Sequence, residues 1–105
     1  MSVKNITPQQ LKDLLTQAPA PFLLDVREPF ELQAFGAVPG VVNIPMDEVT
    51  GRMQELPDDR SIPLIVICQS GARSAEVASY LDRKGFTAVH NLQGGTYGWL
   101  RSAHA

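Results

Sequence analysis

Cys68, the only cysteine of the chain, sits in the run Leu64-Ile65-Val66-Ile67-Cys68-Gln69-Ser70-Gly71-Ala72-Arg73-Ser74, where an apolar stretch gives way to a helical pattern. Leu64 to Ile67 is continuously apolar and rich in β-branched residues, as in a parallel strand covered on both faces. From Ser74 to Lys84 the pattern is helical, so the residues between form a tight strand-to-helix loop. Successive N–H groups in such a loop, together with the unpaired amides of a helix start, make a concave anion-binding surface. Helix N-termini and nearby cations bring a cysteine pKa from about 8.5 into a range of roughly 3.5 to 7.5, and Arg73 is the cation of this loop. Cys68 is therefore a candidate nucleophile, and Gln69, Ser70, Gly71, Ala72, Arg73 and Ser74 are candidate binding residues. A lone cysteine can also be a small buried hydrophobe; the glycine, the arginine and the helix start favour the nucleophile.

One cysteine excludes an internal disulfide, a Cys-x-x-Cys redox pair and a cysteine-rich zinc site. Whatever Cys68 takes up must be collected from outside, by a small nucleophile or another protein's thiol. No cofactor and no metal are expected. At 105 residues, with 44% hydrophobic and 19% charged residues, the chain reads as one globular domain. No apolar run approaches the roughly 18 residues that span a membrane. The N-terminal residues lack an export signal, so a cytoplasmic location is expected. A net charge of −2 with no basic stripe gives no footprint for nucleic acid.

The elements that must position the cysteine follow from punctuation and period. Thr7-Pro8-Gln9-Gln10 predicts a capped helix start, with Leu11, Leu14, Leu15 and Ala18 as its apolar face. Phe22 to Val26 reads as a buried strand, Pro29 to Phe35 as a short helix, Gly36 to Gly40 as a turn and Val41 to Ile44 as a strand. Asp47 to Glu55 looks helical, and Phe86 to His90 looks like a further strand. Gly94-Gly95 turns into a final short helix carrying Trp99. Alternating strands and helices predict an α/β fold, with a mostly parallel sheet of four or five strands and helices on both faces.

Ligands in such sheets gather beyond the carboxyl ends of strands, where Cys68 and Asp25-Val26-Arg27 both fall. Asp25 is expected to support the site as a structural acceptor rather than react. Arg27 either helps to hold an anion or pairs with Glu28 or Asp25. His90 is expected near a strand end as a structural histidine, Trp99 as a packing anchor and His104 in a frayed tail.

Together these pieces resemble the rhodanese family of sulfurtransferases in its single-domain form, over nearly all of residues 1–105. The resemblance rests on Leu24-Asp25-Val26-Arg27-Glu28, on Gly36-Ala37-Val38-Pro39-Gly40 with Asn43-Ile44-Pro45, on Cys68 through Ser74, and on Leu92-Gln93-Gly94-Gly95 with Trp99. It implies a three-layer rhodanese-like fold and a cysteine that takes the outer sulfur of a donor such as thiosulfate. The resulting persulfide passes its sulfur to cyanide or a thiol. A sulfur-relay protein partner is a second implied route, with the domain as a carrier module.

Related phosphatases of the same fold have five residues between cysteine and arginine, whereas four intervene here. That counts against a phosphatase, and the missing resolving cysteine counts against an arsenate reductase. Two features depart from the family pattern. Ala37 stands where relatives often have histidine, and the stretch from Glu31 to Gly40 is one residue longer than usual. Gln69 is uncharged where many thiosulfate-using relatives carry lysine or arginine near the cysteine.

Overall fold

The computed structural model describes residues 3–102, so His104 lies outside the described residues. Its elements in chain order are β1 (Lys4–Ile6), α1 (Pro8–Leu14), β2 (Phe22–Asp25), α2 (Pro29–Phe35), β3 (Val42–Asn43), two 3₁₀ segments (Met46–Gly51 and Met53–Glu55), β4 (Leu64–Ile67), α3 (Ala72–Arg83), β5 (Val89–Leu92) and α4 (Gly95–Ser102). The five strands form one sheet in the order β1-β5-β4-β2-β3, and every pairing is parallel. β4 lies at the centre, with Leu24 opposite Val66 and Val66 opposite Asn91.

The period-two alternation of the central strands divides the interior into two cores. Leu24 and Val26, with Leu64, Val66 and Cys68, face one side and pack with Val77, Leu81 and Phe86. Leu23, Ile65 and Ile67 face the other side, with Leu11, Leu92 and the partly buried Trp99. All four residues of β4 are fully buried. Burying such side chains contributes roughly 1.5–3 kcal/mol each, which fixes the strand that carries the cysteine. The register also decides direction: one residue beyond Ile67, Cys68 points to the α3 side of the sheet.

Several elements differ from the sequence reading, each for a local reason. The α1 start is as expected, with Thr7 and Gln10 exchanging side-chain and backbone hydrogen bonds. The helix nevertheless stops at Leu14. The Thr16 and Gln17 amides bond three residues back, and the Thr16 hydroxyl also donates to the Asp13 carbonyl, which tightens the chain out of the α-helix. Leu15 and Ala18 are consequently exposed rather than core.

The helix expected over Asp47 to Glu55 is 3₁₀ in two pieces. Its amides bond three residues back, as from Glu48 to Pro45 and from Arg52 to Val49. The strand expected at Phe86 to His90 begins only at Val89. The Phe86 amide donates to Leu81 and the Thr87 amide to Arg60, leaving neither for the sheet. His90 therefore lies within β5, beside Ile65 and Lys4, and not at a strand end. β3 is shorter than the Val41 to Ile44 reading, and β1 was not foreseen. No helix among the described residues is long and apolar enough to cross a membrane.

Candidate active site

Beyond the carboxyl end of β4 the chain curls around the Cys68 sulfur and enters α3. The Gly71 amide donates to Sγ at 3.0 Å, and the Ser74 hydroxyl lies 3.2 Å from it. Gly71 takes φ +112°, a left-handed value that a residue with a Cβ adopts only with strain. That turn aims its N–H at the sulfur. Burial resists ionisation of the thiol, but the Ser74 hydroxyl and the amides of Ser74, Gly71 and Ser70 outweigh it and hold Cys68 below the ordinary thiol value. Cys68 is only 1% exposed. Its sulfur nevertheless meets donors rather than hydrocarbon alone.

The orientation of these amides comes from α4. The Thr96 amide donates to the Cys68 carbonyl at 2.8 Å, and the Tyr97 amide donates to the Gln69 carbonyl at 3.1 Å. C=O and N–H point opposite ways in a trans peptide, so fixing the Gln69 carbonyl toward α4 turns the Ser70 N–H toward the sulfur. The first amides of α4 are thus spent on the loop. This approach needs Gly95 at φ +60°, because a Cβ there would meet the Gln69 backbone at 2.6 Å and the Cys68 carbonyl closer still.

The remaining sequence candidates divide clearly. The Gly71 amide and the Ser74 hydroxyl meet at the sulfur, and the amides of Ser70 and Ser74 add to the pull that lowers the thiol. The Gln69 side-chain oxygen accepts from Arg27 Nη1 at 2.8 Å. Ala72 is exposed in the first position of α3. Arg73, the loop cation expected among the binding residues, donates from Nη1 and Nη2 to the two carboxylate oxygens of Glu31, each at 2.8 Å. This pair holds the Glu31 carboxyl down at about 2 and raises Arg73. The Cys68 and Asp25 charges also act on Arg73 through space.

Asp25 and Arg27 form a buried ion pair, both 0% exposed, with Arg27 Nη2 at 2.7 Å from Oδ2 and Nε at 3.0 Å from Oδ1. Arg27 also donates to the Gly36 carbonyl, so one guanidinium joins the end of β2, the Cys68 loop and the end of α2. A surface cavity of about 250 Å³ between the first 3₁₀ segment and α3, lined by Met46, Val49 and Tyr80 among others, includes none of residues 68–74.

Three contributors escaped the sequence reading. Glu31 is the partner of Arg73. Asn91 on β5 takes the Ser74 hydroxyl at its Oδ1 and donates from Nδ2 to the Gly71 carbonyl. Thr96 supports the loop carbonyl. Asn91 carried a signal, since a polar residue within Val89-His90-Asn91-Leu92 must find partners if buried. The pairing of Glu31 carried none, because 42 residues separate it from Arg73.

A model of the rhodanese-like domain matches residues 7–102. A sulfurtransferase from Allochromatium vinosum is 36% identical over 99 residues, covering 94% of this chain and 90% of that one. A thiosulfate sulfurtransferase from Haemophilus influenzae is 33% identical over 102 residues, covering 97% and 92%. Among solved structures, a rhodanese-related protein from Thermoplasma volcanium superposes with a TM-score of 0.82 at 33% identity, covering 94% of this chain and 92% of its own.

Proposed function

Since the chain belongs to the rhodanese-like domain family, we propose that it is a sulfurtransferase whose Cys68 carries sulfane sulfur as a persulfide, with thiosulfate or a related donor as source and cyanide or a thiol as acceptor. The observation that carries this reading is the pair of donors on Sγ, the Gly71 amide and the Ser74 hydroxyl. In the first half-reaction the thiolate attacks the outer sulfur of thiosulfate. The S–S bond breaks and its electron pair leaves on sulfite, giving Cys68–S–S⁻. In the second, cyanide or a thiolate attacks the terminal sulfur, and the Cys68 thiolate departs. A low thiol pKa favours that departure. Neither step transfers a proton, and the hydrogen bonds on the sulfur come from the Gly71 amide and the Ser74 hydroxyl, not from a base.

The length of the loop, set beside the five-residue spacing of the related phosphatases, supports sulfur transfer over phosphoryl transfer. Four residues separate Cys68 from Arg73, and the Arg73 guanidinium is engaged by Glu31. Steady-state rates with thiosulfate, mercaptopyruvate and glutathione persulfide, with cyanide as acceptor, test the reading. Turnover with at least one donor is expected, with a trapped intermediate heavier by one sulfur atom on Cys68. Cys68→Ser should abolish both. Residual turnover in that variant at the level of the parent protein would refute the assignment.

A further inference from the structure

We propose that Glu31 is a specificity-determining residue that disfavours dianionic sulfur donors and favours persulfides carried on a thiol. The inference rests on the sulfurtransferase reading and concerns its substrate class. Four charged groups are tied to the Cys68 loop: Arg73 lies in the chain five residues after the cysteine and feels its charge, Arg27 bonds to Gln69, and Asp25 and Glu31 are their partners. They occur as two ion pairs, Arg27 with Asp25 and Arg73 with Glu31. Two guanidiniums and two carboxylates sum to zero, so the thiolate is the uncompensated charge and the loop amides are its counterweight.

Arg27 has little left to offer an incoming anion. Its Nε and Nη2 go to Asp25, Nη2 also to the Gly36 carbonyl and Nη1 to Gln69, with its side chain fully buried. Arg73 is the more accessible cation, its side chain 39% exposed. Both of its terminal nitrogens are held by a carboxylate that is itself only 12% exposed and is further anchored by accepting from the Glu28 amide at 2.9 Å. A two-point guanidinium–carboxylate pair is stronger than a single contact and geometrically fixed. Thiosulfate, carrying two negative charges, must either displace Glu31 from Arg73 or lie beside an intact negative group.

A protonated persulfide meets no such opposition. The Cys68 thiolate attacks its outer sulfur, the donor S–S bond breaks, and the electron pair leaves on the donor's thiolate, giving Cys68–S–SH. The reacting sulfur atoms carry −1 before and after, and no dianionic group is bonded to the sulfur that is transferred. Glu31 acts here through Arg73, as a positioning residue that withholds a cation.

Glu31→Gln keeps an oxygen for the Glu28 amide while removing the charge. Thiosulfate KM is expected to fall by about tenfold, the effect of one charge at short range in a partly solvated site, while the KM for glutathione persulfide changes less than about twofold. A second readout needs no turnover: the ratio of Cys68 alkylation by iodoacetate, an anion, to that by neutral iodoacetamide. This ratio should rise several-fold in Glu31→Gln and stay at the parental value in Glu31→Asp, which keeps the charge.

In the unsubstituted protein the ratio is expected at or below that of free cysteine. A ratio several-fold above free cysteine in the unsubstituted protein, or an unchanged ratio and thiosulfate KM in Glu31→Gln, would overturn the proposal. Turnover that survives Cys68→Ser would instead overturn the sulfurtransferase reading, while the alkylation ratio still reports on Glu31.

Discussion

Ser74 offers one hydroxyl proton to two acceptors, the Cys68 sulfur and Asn91 Oδ1. With a neutral thiol, the S–H can donate to Ser74 while Ser74 donates to Asn91, and all three groups are satisfied in a chain. On ionisation the sulfur becomes the stronger acceptor and the hydroxyl proton turns toward it. Ser74 thus stabilises the thiolate more than the thiol, which is the meaning of a lowered pKa. Ser74→Ala removes that preference while keeping the fully buried volume nearly filled. Iodoacetamide reactivity rises with pH as the thiol ionises, and because the Ser74 hydroxyl and the loop amides lower the thiol, this rise is expected below the ordinary thiol range in the parent protein. In Ser74→Ala the profile should move to higher pH, with alkylation near neutrality slower by up to about tenfold, the worth of one hydrogen bond to a charged group. A profile that stays in place would show that the loop amides alone set the acidity.

At the scale of elements, the loop after β4 is shaped as much by α4 as by α3, and Gly95 is where the two meet. Gly95→Ala places a methyl group against the Cys68 and Gln69 carbonyls at a positive φ, so α4 must retreat. A loss of at least about 2 kcal/mol in urea unfolding is expected. Thiol reactivity should fall as well, because the carbonyls released from Thr96 and Tyr97 no longer hold the Ser70 amide inward. Unchanged reactivity in a folded Gly95→Ala protein would separate α4 from the site.

The sequence showed that a glycine pair turns the chain here, because positive φ has a compositional signature. It could not show what the turn approaches, because that neighbour lies more than twenty residues away. The same division runs through the fold. β4, the start of α1 and the whole of α2 were legible, since apolar runs, caps and prolines act locally. β1 is three residues with two exposed, and only its pairing with β5 makes it a strand. Phe86 looked like strand because it is aromatic and apolar; it is buried in a loop, with its ring under the Arg60 guanidinium at 4.2 Å. In the site, the residue types at Cys68, Gly71 and Ser74 pointed to the sulfur cradle. The destinations of Gln69 and Arg73 depended on Arg27 and Glu31, which only the tertiary structure brings near.

For the molecule as a whole, the parallel sheet gathers its strand ends at one edge, and the Asp25–Arg27 pair ties that edge together. Asp25 Oδ1 accepts the Arg27 amide, the Asp25 carbonyl accepts from Asn43 Nδ2 and the Ile44 amide, and the Arg27 carbonyl accepts a second bond from Asn43. Arg27 then reaches the Cys68 loop and the end of α2. A buried pair is costly to break on one side only, because the surviving charge stays desolvated. Arg27→Ala should therefore destabilise the protein by about 3–5 kcal/mol, a large fraction of the total stability of a domain this size. Replacing both charges, as Asp25→Asn with Arg27→Gln, leaves no orphaned charge and should cost less than the single change. Urea denaturation of the two variants compares these costs directly. If the double variant were the less stable, the Asp25 carboxylate would stabilise the sheet edge by itself, through the Arg27 amide it accepts, and the loss in Arg27→Ala would not be that of an orphaned charge.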